Sequence, residues 1–104
     1  MSELTRMLVW KFELEVVDEQ EIGIPPNAKV LHVEAQGSSL CMWCLVDPTK
    51  RPLPTTVWIT GTGRPVPQFA VHLGTAQVRA MVWHVWGRSG GMLERIGPAD
   101  VMVD

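Results

Sequence analysis

Apolar and polar residues alternate with a period of two along most of this chain, which is typical of strands with one solvent-exposed face. From Trp10 to Val16 every even position is apolar and every odd position is charged. After a break at Pro25-Pro26-Asn27, the apolar residues Leu31, Val33 and Ala35 alternate with polar ones. These two segments predict strands that each bury one face.

Further segments extend the strand pattern. Gln36–Ser39 predicts a hairpin turn. The wholly apolar run Leu40–Val46 that follows it predicts a strand covered on both faces. The β-branched run Thr55–Thr60 predicts another strand, and residues 69–73 predict a short one that ends at a Gly74-Thr75 break.

Residues 77–86 are the one ambiguous segment. They fit a helix capped by Thr75, but their density of valine and tryptophan favours a strand. The whole pattern predicts an all-β chain, folded as a single small antiparallel β-sandwich or a partly open barrel of five to six strands. One domain over residues 1–104 is expected, with a core over about 7–86 and a weakly patterned C-terminal tail over 87–104.

The charge is unevenly distributed, although the net charge is only −2. Residues 1–49 carry eight acids and three bases, whereas residues 50–104 carry six bases and three acids. Surfaces of opposite sign would suit an anionic ligand or a homo-oligomer, although the two halves could equally neutralise one another after folding. Six scattered bases form no dense stripe, so no extended nucleic-acid groove is predicted.

The apolar segments are all short, and none approaches the roughly 20 residues that a membrane helix needs. No membrane partner is therefore expected. Met1–Arg6 lacks the basic region and long apolar core of a signal peptide. These features predict an intracellular protein with reduced cysteines.

The segments His32-Val33-Glu34 and Cys41-Met42-Trp43-Cys44 superficially match a zinc deaminase signature. Only six residues separate them, however, and leucine rather than proline precedes Cys41. Residues three apart in a strand point to opposite faces and lie roughly 10 Å apart, too far for a disulfide. We therefore expect Cys41 and Cys44 to be small core residues, with no metal site and no cofactor.

No side chain has the sequence context of a catalytic group. The serines at 38, 39 and 89 lack the G-x-S-x-G context of an activated nucleophile. The acidic cluster at 18–21 resembles a solvated loop. On a strand, His84 faces opposite to Trp83. A lone histidine at such a position is more often a hydrogen-bonded structural residue than a general base. We therefore predict that the protein is not an enzyme.

The strongest candidate for a binding site is the glycine turn Ile59–Pro65. Its successive amides could form a concave site for phosphate, with Arg64 pairing bidentately and tryptophan faces stacking on a base. The turn lacks the G-x-x-x-x-G-K-[ST] pattern of a P-loop. Its glycines could equally serve only a hairpin, with Arg64 in solvent. The candidate residues for a nucleotide-like anion are Gly61, Thr62, Gly63, Arg64, Trp58, Trp83 and His84.

Several motifs resemble those of a family of small tailed-phage proteins that carry a domain of unknown function. The matching motifs are W-x-F-x-L-x-V at 10–16, P-x-A-K-V-L at 26–31, G-T-G at 61–63, L-G-T-x-Q at 73–77 and V-W-H-V at 82–85. Arg64 departs from the histidine that often follows the second glycine in that family. The resemblance implies phage origin and the host cytoplasm, and no particular reaction.

Phage origin favours a non-enzymatic binding protein that acts in the host cell. The first hypothesis is an anti-defence protein that sequesters a nucleotide-derived, anionic immune signal at the glycine turn. One alternative is an inhibitor that docks on a host enzyme through an exposed strand edge. Another is a small virion or morphogenesis component.

Overall fold

The computed structural model describes residues 6–100 of the 104-residue chain. Residues 1–5 and 101–104 lie outside the described residues. The first range holds most of the segment in which the sequence predicts no signal peptide, and the second is the end of the predicted tail. Within residues 6–100, no helix has the length and apolar character needed to cross a membrane.

Eight strands, counted over residues 6–100, form two four-stranded sheets. One sheet has the order β1-β4-β3-β8 and the other the order β2-β5-β7-β6. Neighbouring strands are antiparallel except β3 and β8, which are parallel. This confirms the all-β class and the sandwich, with more strands than the five to six expected. The strands are β1 (Leu8–Leu14), β2 (Glu19–Ile24), β3 (Lys29–Gln36), β4 (Ser39–Val46), β5 (Leu53–Gly61), β6 (Ala70–Val78), β7 (Met81–Arg88) and β8 (Glu94–Arg95), and a 3₁₀ turn at Pro98–Asp100 follows them.

The core lies between the sheets, where their inward-facing positions meet. Every second residue of β4, which is central in its sheet, is almost fully buried, as are the inward positions of β5 and β7. Among the described residues, the buried set contains no polar or charged side chain. Burial of apolar surface, at about 25 cal/mol per Å², therefore stabilises the sandwich. The central members are Leu40, Met42, Cys44, Val46, Val57, Ile59 and Val85.

One segment was interpreted wrongly from the sequence. The acidic cluster is not a solvated loop: Glu19 and Glu21 lie on β2, with their side chains exposed and the alternate residues facing the other sheet. The preference for a strand over a helix in residues 77–86 is confirmed, although they belong to two strands joined by a turn at Arg79, which has a φ of 58°. The sequence did not reveal β2, because this edge strand carries charged residues at outward positions and only every second residue belongs to its apolar face.

Two β-bulges change which side chains face the core. The register with β4 shifts between Val30 and His32, so that Val30 and Val33 are buried while Leu31 is exposed. The expectation that Leu31 faces the core is therefore wrong. A second shift follows His72, and β6 runs on through the expected Gly74-Thr75 break. A bulge inserts one residue and reverses the alternation beyond it.

The β3–β4 hairpin and the two cysteines agree with the sequence analysis. Gly37 adopts a φ of 63° in the predicted turn. Both cysteines are free and buried. Cys44 is in register with Trp10 on the inward face, and Cys41 is in register with Glu13 on the outward face. The cysteines therefore occupy opposite faces of one strand and act as small packing residues.

Residues 87–100 complete the sandwich beside β3. Leu93 is 3% exposed and belongs to the core. The two residues of β8 pair with β3, and Lys29 Nζ donates a hydrogen bond to Glu94 Oε1 at 2.7 Å. The predicted tail thus supplies a core residue and an edge strand. A two-residue strand is too short to show a periodic pattern in sequence.

Candidate functional site

The glycine turn begins a crossover and does not form a hairpin. Strands β5 and β6 both pair antiparallel with β7, so they run parallel to each other on either side of it. Residues 62–69 must therefore return along the sheet before β6 can start. The Arg64 amide donates to the Gly61 carbonyl at 3.1 Å, and Gly63 has a φ of 87°. This is a type II turn, which requires a positive φ at its third residue.

A groove of about 1090 Å³ lies where β2 stops pairing with β5. The last pair is Glu19 with Trp58, after which the Ile59 amide donates to the Asp18 carbonyl at 3.2 Å. Beyond this point, within the described chain, β5 has no neighbour on that side. The crossover segment forms one wall of the groove and the start of β7 forms another. The volume matches that of small-ligand sites.

The groove contains hydrogen-bond donors and acceptors, and its lining includes charged side chains of both signs. Alternate strand residues direct their amides to the same side, so the Gly61 amide points toward the edge that the Ile59 amide shares with Asp18. Arg64 and Asp18 both line the groove, and both are exposed. Arg64 makes no ion pair with any residue in the described range. The site therefore offers one cation and one carboxylate to a ligand.

The two candidate tryptophans reach the groove from opposite faces of the sheet. Trp58 faces outward, donates from Nε1 to Glu19 Oε1 at 3.1 Å, and meets the Phe69 ring edge-on at 5.3 Å. Trp83 faces the core and lies under Gly61, where an added Cβ would be 3.6 Å from its ring. A bound ring can stack on either indole, but the two do not form a clamp around it.

His84 lies beside the groove in a chain of hydrogen bonds. Its Nε2 is 2.9 Å from Thr62 Oγ1, and its Nδ1 is 2.9 Å from Thr75 Oγ1. The same Thr75 hydroxyl is 2.8 Å from His72 Nε2, and His72 bonds the backbone of Gly74. One consistent arrangement has each hydroxyl donating to the imidazole that follows it, with both rings neutral. His84 is therefore held at both ring nitrogens.

His72 and His84 also line a second cavity. This cavity of about 350 Å³ lies under the crossover residue Val66 and is bounded by Trp86. Trp86 Nε1 donates to Thr60 Oγ1 at 2.9 Å. The polar groups on this outward face are thus largely satisfied by one another, which favours a fixed structure over proton transfer.

Burial lowers the pKa of His72, and the charges of Arg95 and His84 lower it further. The unfolded chain then takes up a proton at a higher pH than the folded chain. The contribution of His72 to the free energy of unfolding is therefore expected to be complete above about pH 6.5 and to be lost as the pH drops below it.

Replacing His72 by glutamine is expected to weaken this acid sensitivity. Glutamine keeps an acceptor for the Thr75 hydroxyl and has no proton to gain in this range. Urea unfolding of both proteins at neutral and mildly acidic pH measures the difference. His32→Gln, at an exposed histidine on the other sheet, is the control. Identical pH dependence in the wild type and His72→Gln would contradict the assignment.

The sequence analysis missed three residues of this region. Asp18 was assigned to a loop, Thr75 was assigned to a break or a helix cap, and His72 was given no role in a binding site. The pairing register of the β6–β7 hairpin is the signal that could have identified Thr75. Because Val78 pairs with Met81, Thr75 lies opposite His84. Of the predicted residues, those at 61–64, Trp58 and Trp83 surround or adjoin one groove, and His84 bonds its neighbour Thr62.

The described residues contain no group of three or more His, Cys, Asp or Glu side chains placed to hold a metal ion.

A family model described as a domain of unknown function, DUF7352, matches residues 6–93. No curated protein and no solved structure matches the chain.

Proposed function

The chain belongs to the DUF7352 family, and we propose that it is a non-enzymatic binding protein for a small nucleotide-like anion. The observation that carries the proposal is the groove at the end of β5, which combines an arginine that makes no ion pair within residues 6–100, an edge-strand amide and an accessible indole. Small-molecule sites characteristically pair apolar walls with a few placed polar groups.

The chemistry of the lining suits a ligand with two different ends. The Arg64 guanidinium can hold a phosphate through two parallel hydrogen bonds, and the Gly61 amide supplies a further donor. Asp18 would repel a second phosphate and instead accept hydrogen bonds from a sugar hydroxyl or a base amino group. Trp58 offers a face for stacking, worth about 1–3 kcal/mol per base. A mononucleotide-like molecule meets all four requirements.

The biological setting follows from the resemblance to small tailed-phage proteins. We place the protein in the host cytoplasm, where it sequesters a nucleotide-derived signal of an immune pathway. The absence of an evident acid–base pair in the groove supports sequestration over turnover. Inhibition of a host enzyme and a role in the virion are the alternatives that the test must separate.

Cyclic and linear nucleotides are expected to raise the melting temperature of the protein, because a ligand that binds only the native state stabilises it. At a ligand concentration about 100 times Kd the gain is about 2.7 kcal/mol. Arg64→Ala is expected to abolish the shift. Thermal unfolding across a nucleotide panel measures both effects.

Arg51→Ala is the matched control, since Arg51 is exposed and precedes β5, whereas Arg64 follows the opposite end of that strand. It should leave the shift intact. An unmoved melting temperature across the panel would overturn the proposed function. In that case, recovery of one dominant host protein in a pull-down would support the inhibitor, and recovery of virion proteins the structural role.

A further inference from the structure

We propose that β1 is a self-association edge, at which two copies of the chain pair antiparallel with Lys11 of each opposite Glu13 of the other. β1 is the outermost strand of its sheet, and within residues 6–100 only β4 pairs with it. Leu8 and Val9 are 45% and 55% exposed. This surface is separate from the groove, so the proposal is independent of the ligand.

The free backbone groups of β1 belong to its odd-numbered residues. Gln36 and Ser39 flank the two-residue turn and are the first bonded pair of the β3–β4 hairpin. Bonding directions alternate along a strand, so the even residues of β4 bond β1. Their partners are the even residues of β1. The amides and carbonyls of Val9, Lys11 and Glu13 therefore point away from the sheet.

Side-chain faces restrict the registers that a second copy can adopt. A shift of one residue would place the inward Trp10 and Phe12 opposite solvent-facing residues. Only registers that align even with even residues keep the apolar side chains together. With the two-fold axis at Phe12, Trp10 lies opposite Leu14 of the second copy, and the two Phe12 rings face each other across the axis. Trp10 and Phe12 are only partly buried in a single chain.

Charge favours the register with its axis at Phe12 over the registers with an axis at Lys11 or at Glu13. The axis at Phe12 places Lys11 opposite Glu13 of the second copy twice over, by symmetry. An axis at Lys11 would instead oppose two lysines, and an axis at Glu13 would oppose two glutamates. Directly opposed like charges destabilise an antiparallel pair, whereas opposite charges stabilise it. Both side chains are exposed. In the single chain Lys11 Nζ donates a hydrogen bond to Gln36 Oε1 of β3 at 2.5 Å, and in the dimer it would exchange this bond for the carboxylate of Glu13 of the second copy.

β2, which is an edge strand of the other sheet, lacks these properties. Its outward charges, Glu19 and Glu21, are both acidic, so self-pairing there would oppose like charges. The end of the β1 edge is closed at Glu15, where the Gln20 side chain bonds both the amide, at 3.1 Å, and the carbonyl, at 2.7 Å. With the axis at Phe12, Val9 would face Glu15 of the second copy, so main-chain pairing is limited to Lys11 and Glu13 of each copy.

The charge pattern gives a reciprocal test. Sedimentation across a concentration series should show that the wild-type chain dimerises. Lys11→Glu alone and Glu13→Lys alone should each weaken dimerisation by at least about tenfold in Kd, since each opposes like charges at two places. An equimolar mixture of the two variants should form a heterodimer, and the double variant should dimerise like the wild type.

Glu21→Lys, an equivalent change on the exposed face of β2, should leave the dimer unchanged. Circular dichroism confirms that each variant is folded. A wild-type chain that stays monomeric would overturn the proposal. So would a wild-type dimer that both single variants leave intact, or a mixture of the two variants that forms no heterodimer.

Discussion

Replacing Gly74 by alanine is expected to lower the free energy of unfolding by about 3 kcal/mol. Gly74 lies on β6 and faces Val33 on β3 of the other sheet. A Cβ at this position would lie 2.6 Å from Val33 Cβ, a separation that real structures do not tolerate. Val33 is itself buried, at 6% exposure, so it cannot swing away. The sheets would have to separate locally and lose packing on both sides.

Gly23→Ala provides the matched control, because its added Cβ would meet Pro52 Cβ at an ordinary 3.6 Å. It should change the stability by no more than about 0.5 kcal/mol. Val33→Gly in the Gly74→Ala chain should recover part of the loss, since removing Val33 Cβ together with its methyl groups relieves the contact. Urea unfolding of the wild type, Gly74→Ala, Val33→Gly and the double variant gives the coupling energy. Equal stability of Gly74→Ala and Gly23→Ala would contradict the close approach.

The local pattern of apolar and polar residues predicted the fold class, because this pattern records which face of each strand is buried. The alternation from Trp10 onward and the apolar run Leu40–Val46 correspond to β1 and β4, the edge and centre of one sheet. The same reasoning failed where a bulge reverses the alternation, at Leu31. A bulge depends on pairing with another strand, and one strand's sequence does not contain that information.

The candidate site was predictable only in part, for a related reason. Gly61 and Arg64 mark the turn locally, and both line the groove. Asp18 is distant in sequence and joins them only because β2 ends its pairing with β5 at Glu19. The crossover was also hidden, because the insertion of β7 between β5 and β6 is a matter of topology. Strand order is set by the whole core and not by any single segment.

Cys44 is expected to react with iodoacetamide about 1000-fold more slowly at pH 8 than an ordinary thiol. Burial raises its pKa to about 12 from a model-compound value of 9.0, and only the thiolate is nucleophilic. The Cys41→Ala chain isolates Cys44, and mass spectrometry follows the modification. Denaturant should restore the rate of an unfolded cysteine, which gives the reference in the same chain.

The same shift makes a second, thermodynamic prediction. Because the folded pKa of Cys44 lies above its unfolded value, the stability that it contributes is complete below about pH 9 and is lost as the pH rises toward 12. A difference of about three pKa units corresponds to about 4 kcal/mol. Cys44→Ala should therefore be less stable than the wild type at neutral pH, because it leaves a small cavity, yet lose less stability between pH 9 and 11. Parallel pH profiles of the two chains, or fast alkylation of folded Cys41→Ala, would show that the thiol is not sealed in the core. A sealed thiol in the central strand would mean that the sheets do not separate on the timescale of the reaction.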